Sequence, residues 1–131
     1  DLIIINLHTN DNWQWYSNTP ENRNGETEKY NFATFDRVFD DMIKTFTGHY
    51  GNDVPMLFVF GCMANDKYEN ATLRSKYLIK NKYVPEGYDM EIVNLTTNRE
   101  GNASHPNLEG AKIQGAELAE FIRKTYPNLV K

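Results

Sequence analysis

Two short runs of uninterrupted apolar residues constrain the fold of this chain more than any other feature. Residues 2–5 read Leu-Ile-Ile-Ile, and residues 56–60 read Met-Leu-Phe-Val-Phe. A strand with one face in water alternates apolar and polar side chains, whereas a strand covered on both faces of a parallel sheet is apolar throughout. We therefore expect both runs to be buried strands of a parallel sheet, the first being a central strand that extends through Leu7.

Helical patterns alternate with these strands. Apolar residues recur at helical spacing in residues 35–46 and 111–122, and residues 90–95 form a third run typical of a strand. The order is strand, helix, strand, helix, strand, helix, which is typical of an α/β fold. We predict a three-layer, doubly wound (flavodoxin-like), mostly parallel sheet, and residues 1–131 have the length of one domain with no internal boundary.

The helix between the second and third strands has a less regular pattern. Asp66 followed by Glu69 resembles a capping box, and Leu73, Tyr77 and Leu78 are apolar residues at roughly helical spacing. We predict a helix that ends near Tyr83 and uses this apolar stripe.

Composition excludes several classes of function. The chain has 14 basic and 18 acidic side chains, a formal net charge of −4, and no basic block, so we expect no nucleic-acid partner. Its apolar runs are far shorter than the roughly 20 residues that span a bilayer, so we expect no membrane span. Nucleotide-binding glycine motifs are absent, and three scattered histidines with one cysteine make no metal-site pattern. We therefore predict no cofactor and no metal.

The loops at one edge of the predicted sheet carry residues suited to catalysis. In a doubly wound sheet the binding crevice lies at the carboxyl ends of the strands. Asn10 follows the first strand, and its amide N–H groups suit an oxyanion hole, which stabilises developing negative charge. His105 precedes Pro106 in the loop that begins the last helix, and an imidazole pKa of about 6.5 suits a general base.

Each of these residues also has a structural interpretation. Asn10 could close an Asx turn, and His105 could be a surface histidine. The long Asn-rich loop predicted over residues 12–31 contains Trp13 and Trp15, which could stack on a sugar or anchor the loop on the core. Cys62 could be a thiol nucleophile paired with His105 or a small buried side chain.

These segments resemble two conserved blocks of the SGNH (GDSL-type) hydrolases. Residues 1–11 are similar to the third block, usually written Gly-Thr-Asn-Asp after the strand, and His-Pro-Asn at residues 105–107 with Gly110 is similar to the fifth block. The spacing and the Gly-Cys-Met at residues 61–63 most resemble the family-2 carbohydrate esterases. The resemblance covers essentially the whole chain, which corresponds to the C-terminal part of that family's catalytic domain.

The resemblance implies a serine ester hydrolase that removes acetyl groups from sugars or polysaccharides such as acetyl-xylan. It gives Asn10 the role of oxyanion donor and His105 the role of general base and then acid. It also implies a bacterial, often exported, enzyme. Four residues in the loops at this edge are expected to contact the carbohydrate: His8, which stands where the family usually has glycine, Trp13, Trp15 and Met63.

The chain departs from the family pattern at two further points. No Gly-Asp-Ser block is present, so we predict that a preceding segment supplies the nucleophilic serine and the first strand. This chain would then be an incomplete domain whose partner is its own N-terminal remainder or a second, separate piece. Many relatives have an aspartate three residues before the histidine, where this chain has Asn102, which cannot stabilise an imidazolium by charge. The imidazole N–H of His105 is then oriented either by an uncharged acceptor, a role open to Asn102, or by another carboxylate.

Two other classes of function remain as alternatives. One is a non-catalytic α/β module that binds glycans through Trp13, Trp15 and neighbouring tyrosines. The other is a flavodoxin-like binding protein, which we disfavour because the loop after the first strand has no phosphate-binding pattern.

Overall fold

A computed structural model describes residues 1–7, 28–63 and 70–129, with the backbone alone for residues 28–32 and 70. The three strands are β1 (Ile3–Ile5), β2 (Met56–Phe60) and β3 (Met90–Asn94). The three α-helices are α1 (Glu28–Tyr50), α2 (Asn70–Leu78) and α3 (Leu108–Thr125). A π-helical turn, Ile79–Tyr83, continues α2, and a short 3-10 turn, Asn102–Ser104, precedes α3.

The three strands form a parallel sheet in the order β1-β2-β3. Ile3 lies opposite Met56, and Met56 lies opposite Met90. Parallel neighbours require a crossover connection, and the helices between successive strands lie within these crossovers. The predicted α/β fold with a parallel sheet is therefore confirmed.

Helices cover both faces of the sheet. Every residue of β2 is buried, with Phe58 on one face and Leu57 on the other. The face of Phe58 packs against Phe39 of α1 and Ile79 after α2. The face of Leu57 packs against α3, which contributes the half-buried side chains of Leu118, Phe121 and Ile122. This arrangement confirms the predicted three layers.

The first strand differs from its prediction. It ends at Ile5 rather than at Leu7. It lies at the edge of the described strands, so its predicted central place, which requires the preceding first strand as a neighbour, stays a prediction. Ile5 is buried, but Ile4 is 47% exposed and Leu7 is 53% exposed. The reason is that α3 packs mainly over β2 and β3, which leaves the Ile4 face of β1 uncovered by the described residues.

One predicted helix boundary and the exposure of two predicted apolar residues also differ. Helix α1 begins at Glu28, so residues 28–31, predicted as loop, are helical. Helix α2 and its π-helical turn reach Tyr83 as predicted, but Leu73 is 57% exposed and Tyr77 is 55% exposed. The predicted capping box lies outside the described residues.

Small side chains form the buried face of α2 instead. Ala71 and Ser75, one turn apart, are fully buried, and Leu78 follows them on the same side. The Ser75 hydroxyl donates to the carbonyl of Ala71 at 2.8 Å, which satisfies a polar group that the close packing removes from water. Of the three residues in the predicted stripe, Leu78 is therefore on the buried face, whereas Leu73 and Tyr77 are not.

Candidate functional site

The carboxyl ends of the three strands meet at one edge of the sheet. The Cys62 sulfur after β2 lies 3.8 Å from the Asn6 side-chain oxygen after β1. On the other side of β2, the Asn98 backbone N–H donates to the Cys62 carbonyl at 3.3 Å, and the Thr97 hydroxyl donates to the Gly61 carbonyl at 2.6 Å. The loops after β2 and β3, expected to share this edge, are therefore bonded to each other.

Gly61 makes this close approach possible. Its φ of +94° lies in the left-handed region, and a Cβ there would stand 2.4 Å from the Leu95 carbonyl oxygen. The Leu95 N–H donates to the Phe60 carbonyl at 2.8 Å, so the loop after β3 starts directly against the end of β2. Any larger residue at position 61 would separate the two strand ends.

His105 lies in the loop between β3 and α3 and is exposed. Both of its backbone polar groups are bonded within the loop: its N–H donates to the Asn102 carbonyl at 3.0 Å, and its carbonyl accepts from Gly101 N–H at 2.8 Å. A Cβ at Gly101 would lie 2.7 Å from the His105 carbonyl oxygen, so glycine allows the two backbone segments to pack together. The backbone that carries the imidazole is thus held from both sides.

Two residues immediately before His105 have unusual backbone conformations. Ala103 has φ +52° and Ser104 has φ +61°, in the left-handed region that costs a non-glycine residue roughly 1–2 kcal/mol. Such strain persists only where surrounding contacts enforce it, and it occurs often at functional sites. The His105 loop is therefore a strained segment held by its neighbours.

The remaining predicted site residues divide by position. Asn102 is exposed and contacts His105 through its backbone carbonyl, so the prediction that its side chain orients the imidazole stays a prediction. Met63 is half-buried just after Cys62, near the end of β2. Four predicted residues lie outside the described residues: His8, Asn10, Trp13 and Trp15. Convergence of Asn10 and His105 on one crevice thus also stays a prediction.

Asn98 is a part of this loop that sequence analysis missed. Its side-chain oxygen accepts from the backbone N–H of Asn107 at 2.9 Å and from that of Glu100 at 3.3 Å. One carboxamide oxygen therefore joins the two ends of the segment that contains His105. An asparagine at the start of a polar loop was the available signal, but the partner nine residues away is set by the fold.

Asn107 connects the same loop to α3. Its side-chain oxygen accepts from Gly110 N–H at 2.7 Å, which caps the helix, and its side-chain nitrogen donates to a Glu100 carboxylate oxygen at 3.0 Å. Asparagine is a preferred capping residue because its oxygen satisfies an N–H that has no partner within the helix. Asn107 therefore fixes the C-terminal end of the His105 loop to the start of α3.

Two polar side chains of α3 reach the strand ends. Gln114 is buried, and its side-chain nitrogen donates to the Cys62 and Thr96 carbonyls, at 2.9 Å each. The Glu117 carboxylate accepts from the Thr96 N–H at 2.8 Å and from the Thr96 hydroxyl. Neither residue was selected from the sequence. The available signal was that Gln114 is a polar residue on the apolar stripe of α3, one turn before Leu118. Ala111 of the predicted stripe is exposed.

The environment of Cys62 disfavours its use as a thiol nucleophile. Burial raises the pKa of the Cys62 thiol above its ordinary value. The nucleophilic form is the thiolate, which sites that use cysteine stabilise with positive charge or a helix N-terminus. Cys62 therefore fits the alternative of a half-buried packing residue against the α3 face of the sheet.

The described residues contain neither a group of side chains suited to a metal ion nor a membrane-spanning helix. Within residues 1–7, 28–63 and 70–129, no group of three or more His, Cys, Asp or Glu side chains could hold a metal ion. None of the helices in those same ranges combines the length and apolar character needed to cross a membrane.

Comparison with known proteins gives one solved structure with a similar fold. An acetyl xylan esterase from the rumen bacterium Butyrivibrio proteoclasticus superposes with a TM-score of 0.71 at 16% sequence identity. The match covers 95% of this chain and 36% of that esterase, so this chain spans about a third of its length. No protein-family model and no curated protein matches the chain. The likeness shows an α/β fold shared with part of an esterase.

Proposed function

We propose that this protein is an SGNH-type serine ester hydrolase that removes acetyl groups from carbohydrate. The observation that carries the proposal is the exposed His105, held by its own backbone bonds in a strained loop at the carboxyl edge of a parallel sheet. That edge is where doubly wound α/β proteins bind their ligands. The fold shared with an acetyl xylan esterase supports an acetylated polysaccharide as the substrate class.

The proposed reaction divides the work between this chain and a segment that precedes it. A serine hydroxyl on that segment attacks the acetyl carbonyl, and the His105 imidazole accepts the hydroxyl proton. The Asn10 amide donates to the oxyanion of the tetrahedral intermediate. His105 then gives the proton to the departing sugar oxygen. Water, deprotonated by the same imidazole, attacks the acetyl-serine ester, and the imidazole returns that proton to the serine oxygen as acetate leaves.

His105 is held by contacts that do not depend on a carboxylate three residues earlier. Its backbone carbonyl and N–H are bonded to Gly101 and Asn102, so the loop fixes the point from which the imidazole projects. Under this proposal, either an uncharged acceptor or another carboxylate orients the ring N–H.

The test compares two histidines in the full-length protein that contains this chain. His105→Ala should abolish release of acetate from acetyl-xylan and from an activated acetyl ester, because it removes the proposed general base. His49→Ala is the matched control, because His49 is also exposed but lies at the end of α1, which leads to the amino edge of the sheet. The control should keep full turnover.

Three results would contradict the proposal or redirect it. Unchanged turnover in His105→Ala removes this residue from the mechanism. A preparation with no turnover that binds acetylated xylo-oligosaccharide identifies a glycan-binding module instead. Turnover that survives replacement of every serine upstream of residue 1 would contradict the predicted source of the nucleophile.

A further inference from the structure

We infer that Asn98 is the positioning residue of His105: its carboxamide oxygen holds the loop in the strained shape that presents the imidazole. The inference rests on the proposed function for its catalytic consequence, but its structural part concerns the loop alone. Asn98 does not lie next to His105 in sequence, and its side-chain oxygen accepts from the backbone of other residues of the loop.

The bonds of Asn98 close the segment that carries the imidazole. The Asn98 oxygen accepts from Glu100 N–H and from Asn107 N–H, so residues 100 and 107 are tied to a single atom. Between them, Gly101 and His105 are joined by a second, inner backbone bond of 2.8 Å. The loop is therefore closed twice around the histidine, and only the outer closure depends on a side chain.

Asn98 is itself fixed on two sides. Its backbone N–H donates to the Cys62 carbonyl after β2, and its side chain lies directly against Gly110 of α3. A Cβ at Gly110 would stand 2.3 Å from the Asn98 side-chain carbonyl carbon, so the helix leaves room for this side chain only because residue 110 is glycine. The carboxamide consequently has little freedom to follow the loop if the loop moves.

Loss of this oxygen should release the strain stored next to His105. Ala103 and Ser104 keep left-handed backbone angles only while the rest of the loop enforces them. Without the Asn98 acceptor, two backbone N–H groups turn to water, and only the inner backbone bonds of His105 to Gly101 and Asn102 still oppose relaxation of the left-handed residues. The imidazole then samples positions displaced from the one it occupies here, and displacement by about 1 Å can lower a catalytic rate roughly 100-fold.

A set of four variants distinguishes the effect of the Asn98 acceptor oxygen from the effect of charge near Glu100. Asn98→Ala removes the acceptor. Asn98→Asp keeps it but places a second carboxylate near Glu100, whose oxygen lies 3.5 Å from the Asn98 side-chain nitrogen. Asn98→Asp combined with Glu100→Gln keeps the acceptor and removes the repulsion, while Glu100→Gln alone reports the effect of that charge.

The matched control is Asn81→Ala. The Asn81 side-chain nitrogen donates to the Tyr77 carbonyl at 2.9 Å, so this variant also deletes a carboxamide bonded to backbone. Asn81 is exposed in the π-helical turn that leads toward the amino end of β3, away from the His105 loop.

The experiment measures kcat and KM on an activated acetyl ester and, in parallel, the imidazole carbon–proton NMR signal of His105, assigned from its disappearance in His105→Ala. Asn98→Ala should lower kcat roughly 10- to 100-fold with little change in KM, and should broaden or shift the His105 signal. The Asn98→Asp/Glu100→Gln double variant should recover most of both, whereas Glu100→Gln and Asn81→Ala should change neither.

The two readouts distinguish the two ways to fail. If His105→Ala keeps its turnover, the proposed function is wrong, yet a His105 signal that responds to Asn98→Ala and recovers in the double variant still supports the positioning role. If His105→Ala is inactive while Asn98→Ala keeps wild-type kcat and an unchanged His105 signal, the inference about Asn98 is overturned. Loss of activity in Glu100→Gln alone also overturns it, because the loop would then depend on the Glu100 carboxylate rather than on the Asn98 oxygen.

Discussion

The two faces of the sheet are built in different ways. On the face covered by α1 and α2, the Phe39 ring stacks on Phe58 with 5.6 Å between centroids and lies 5.7 Å from Tyr83. On the face covered by α3, the helix contributes half-buried apolar side chains, and the polar side chains of Gln114 and Glu117 bond to the strand ends.

The difference between aromatic packing on one face and hydrogen bonds on the other suggests that the two faces contribute to different properties: stability and the geometry of the candidate site. Aromatic packing is strong but carries little directional information at a strand end, whereas hydrogen bonds from α3 specify where each loop begins. We therefore expect the α1–α2 face to set the free energy of unfolding and the α3 face to set the position of His105. Three variants test this division.

The largest effect on stability should come from the aromatic face. Phe58→Ala removes a fully buried ring at the centre of β2 and should lower the free energy of unfolding by about 3–5 kcal/mol. Urea denaturation measures the loss, and the His105 NMR signal should stay where it is in the wild type. Phe58→Leu, a smaller change, serves if the alanine variant does not fold. A displaced His105 signal in either folded variant would show that the two faces are not independent.

The second variant acts on the α3 face. Gly110→Ala forces the Asn98 side chain aside and should cost about 1–3 kcal/mol, as overpacking commonly does, while it displaces the His105 signal. Gly115→Ala is the matched control in the same helix, since a Cβ there meets nothing within 4 Å. That control should raise stability by about 0.5–1 kcal/mol, because alanine is the better helix former. An unmoved His105 signal in Gly110→Ala would contradict the assignment of site geometry to α3.

The smallest effect concerns an ion cluster on the aromatic face. The Asp40 carboxylate contacts the amino groups of Lys44 at 2.6 Å and Lys82 at 2.7 Å, and accepts from the Tyr83 hydroxyl at 2.8 Å. Hydrogen bonds from Lys44, Lys82 and Tyr83 lower the pKa of Asp40 below its ordinary value of 3.8. A lowered pKa contributes stability that is present above pH 3.8 and is lost as the pH falls below it.

Asp40→Asn should therefore reduce stability at pH 7 by roughly 1 kcal/mol, because these contacts lose their charge, and should flatten the loss of stability below pH 4. Asp41→Asn makes the same change in net charge while it leaves the Asp40 contacts in place, so the steep acid loss must persist there. Urea midpoints between pH 2 and 7 measure both. An acid limb in Asp40→Asn as steep as in the wild type would show that this cluster does not contribute to acid unfolding.

The fold was largely predictable because its signals are local. The apolar run of β2 identified a strand buried on both faces, and the helical stripes identified α1 and α3. The prediction for α2 selected Leu73, Tyr77 and Leu78, of which only Leu78 is buried, because the small residues on that face carry little apolar signal. The prediction for β1 was wrong about its end, and its central place stays a prediction, because that place depends on a preceding strand outside this chain.

The candidate site was only partly predictable. His105 was selected from the sequence by its residue type, its place after β3 and a family resemblance, and the structure places it exposed in the loop at the carboxyl edge. Asn98, Gln114 and Glu117 were missed, since each makes a bond to a residue between 9 and 52 positions away. A hydrogen bond of that reach exists only once the chain has folded.

The sequence by itself determined the alternation of elements, the parallel sheet and the choice of His105, because apolar periodicity and residue chemistry are properties of short stretches of chain. The tertiary structure alone decided which residues hold the histidine, which face of α2 is buried and where β1 lies among the described strands. The physical reason is that packing and hydrogen bonding depend on distances between residues far apart in the chain, which no local pattern records.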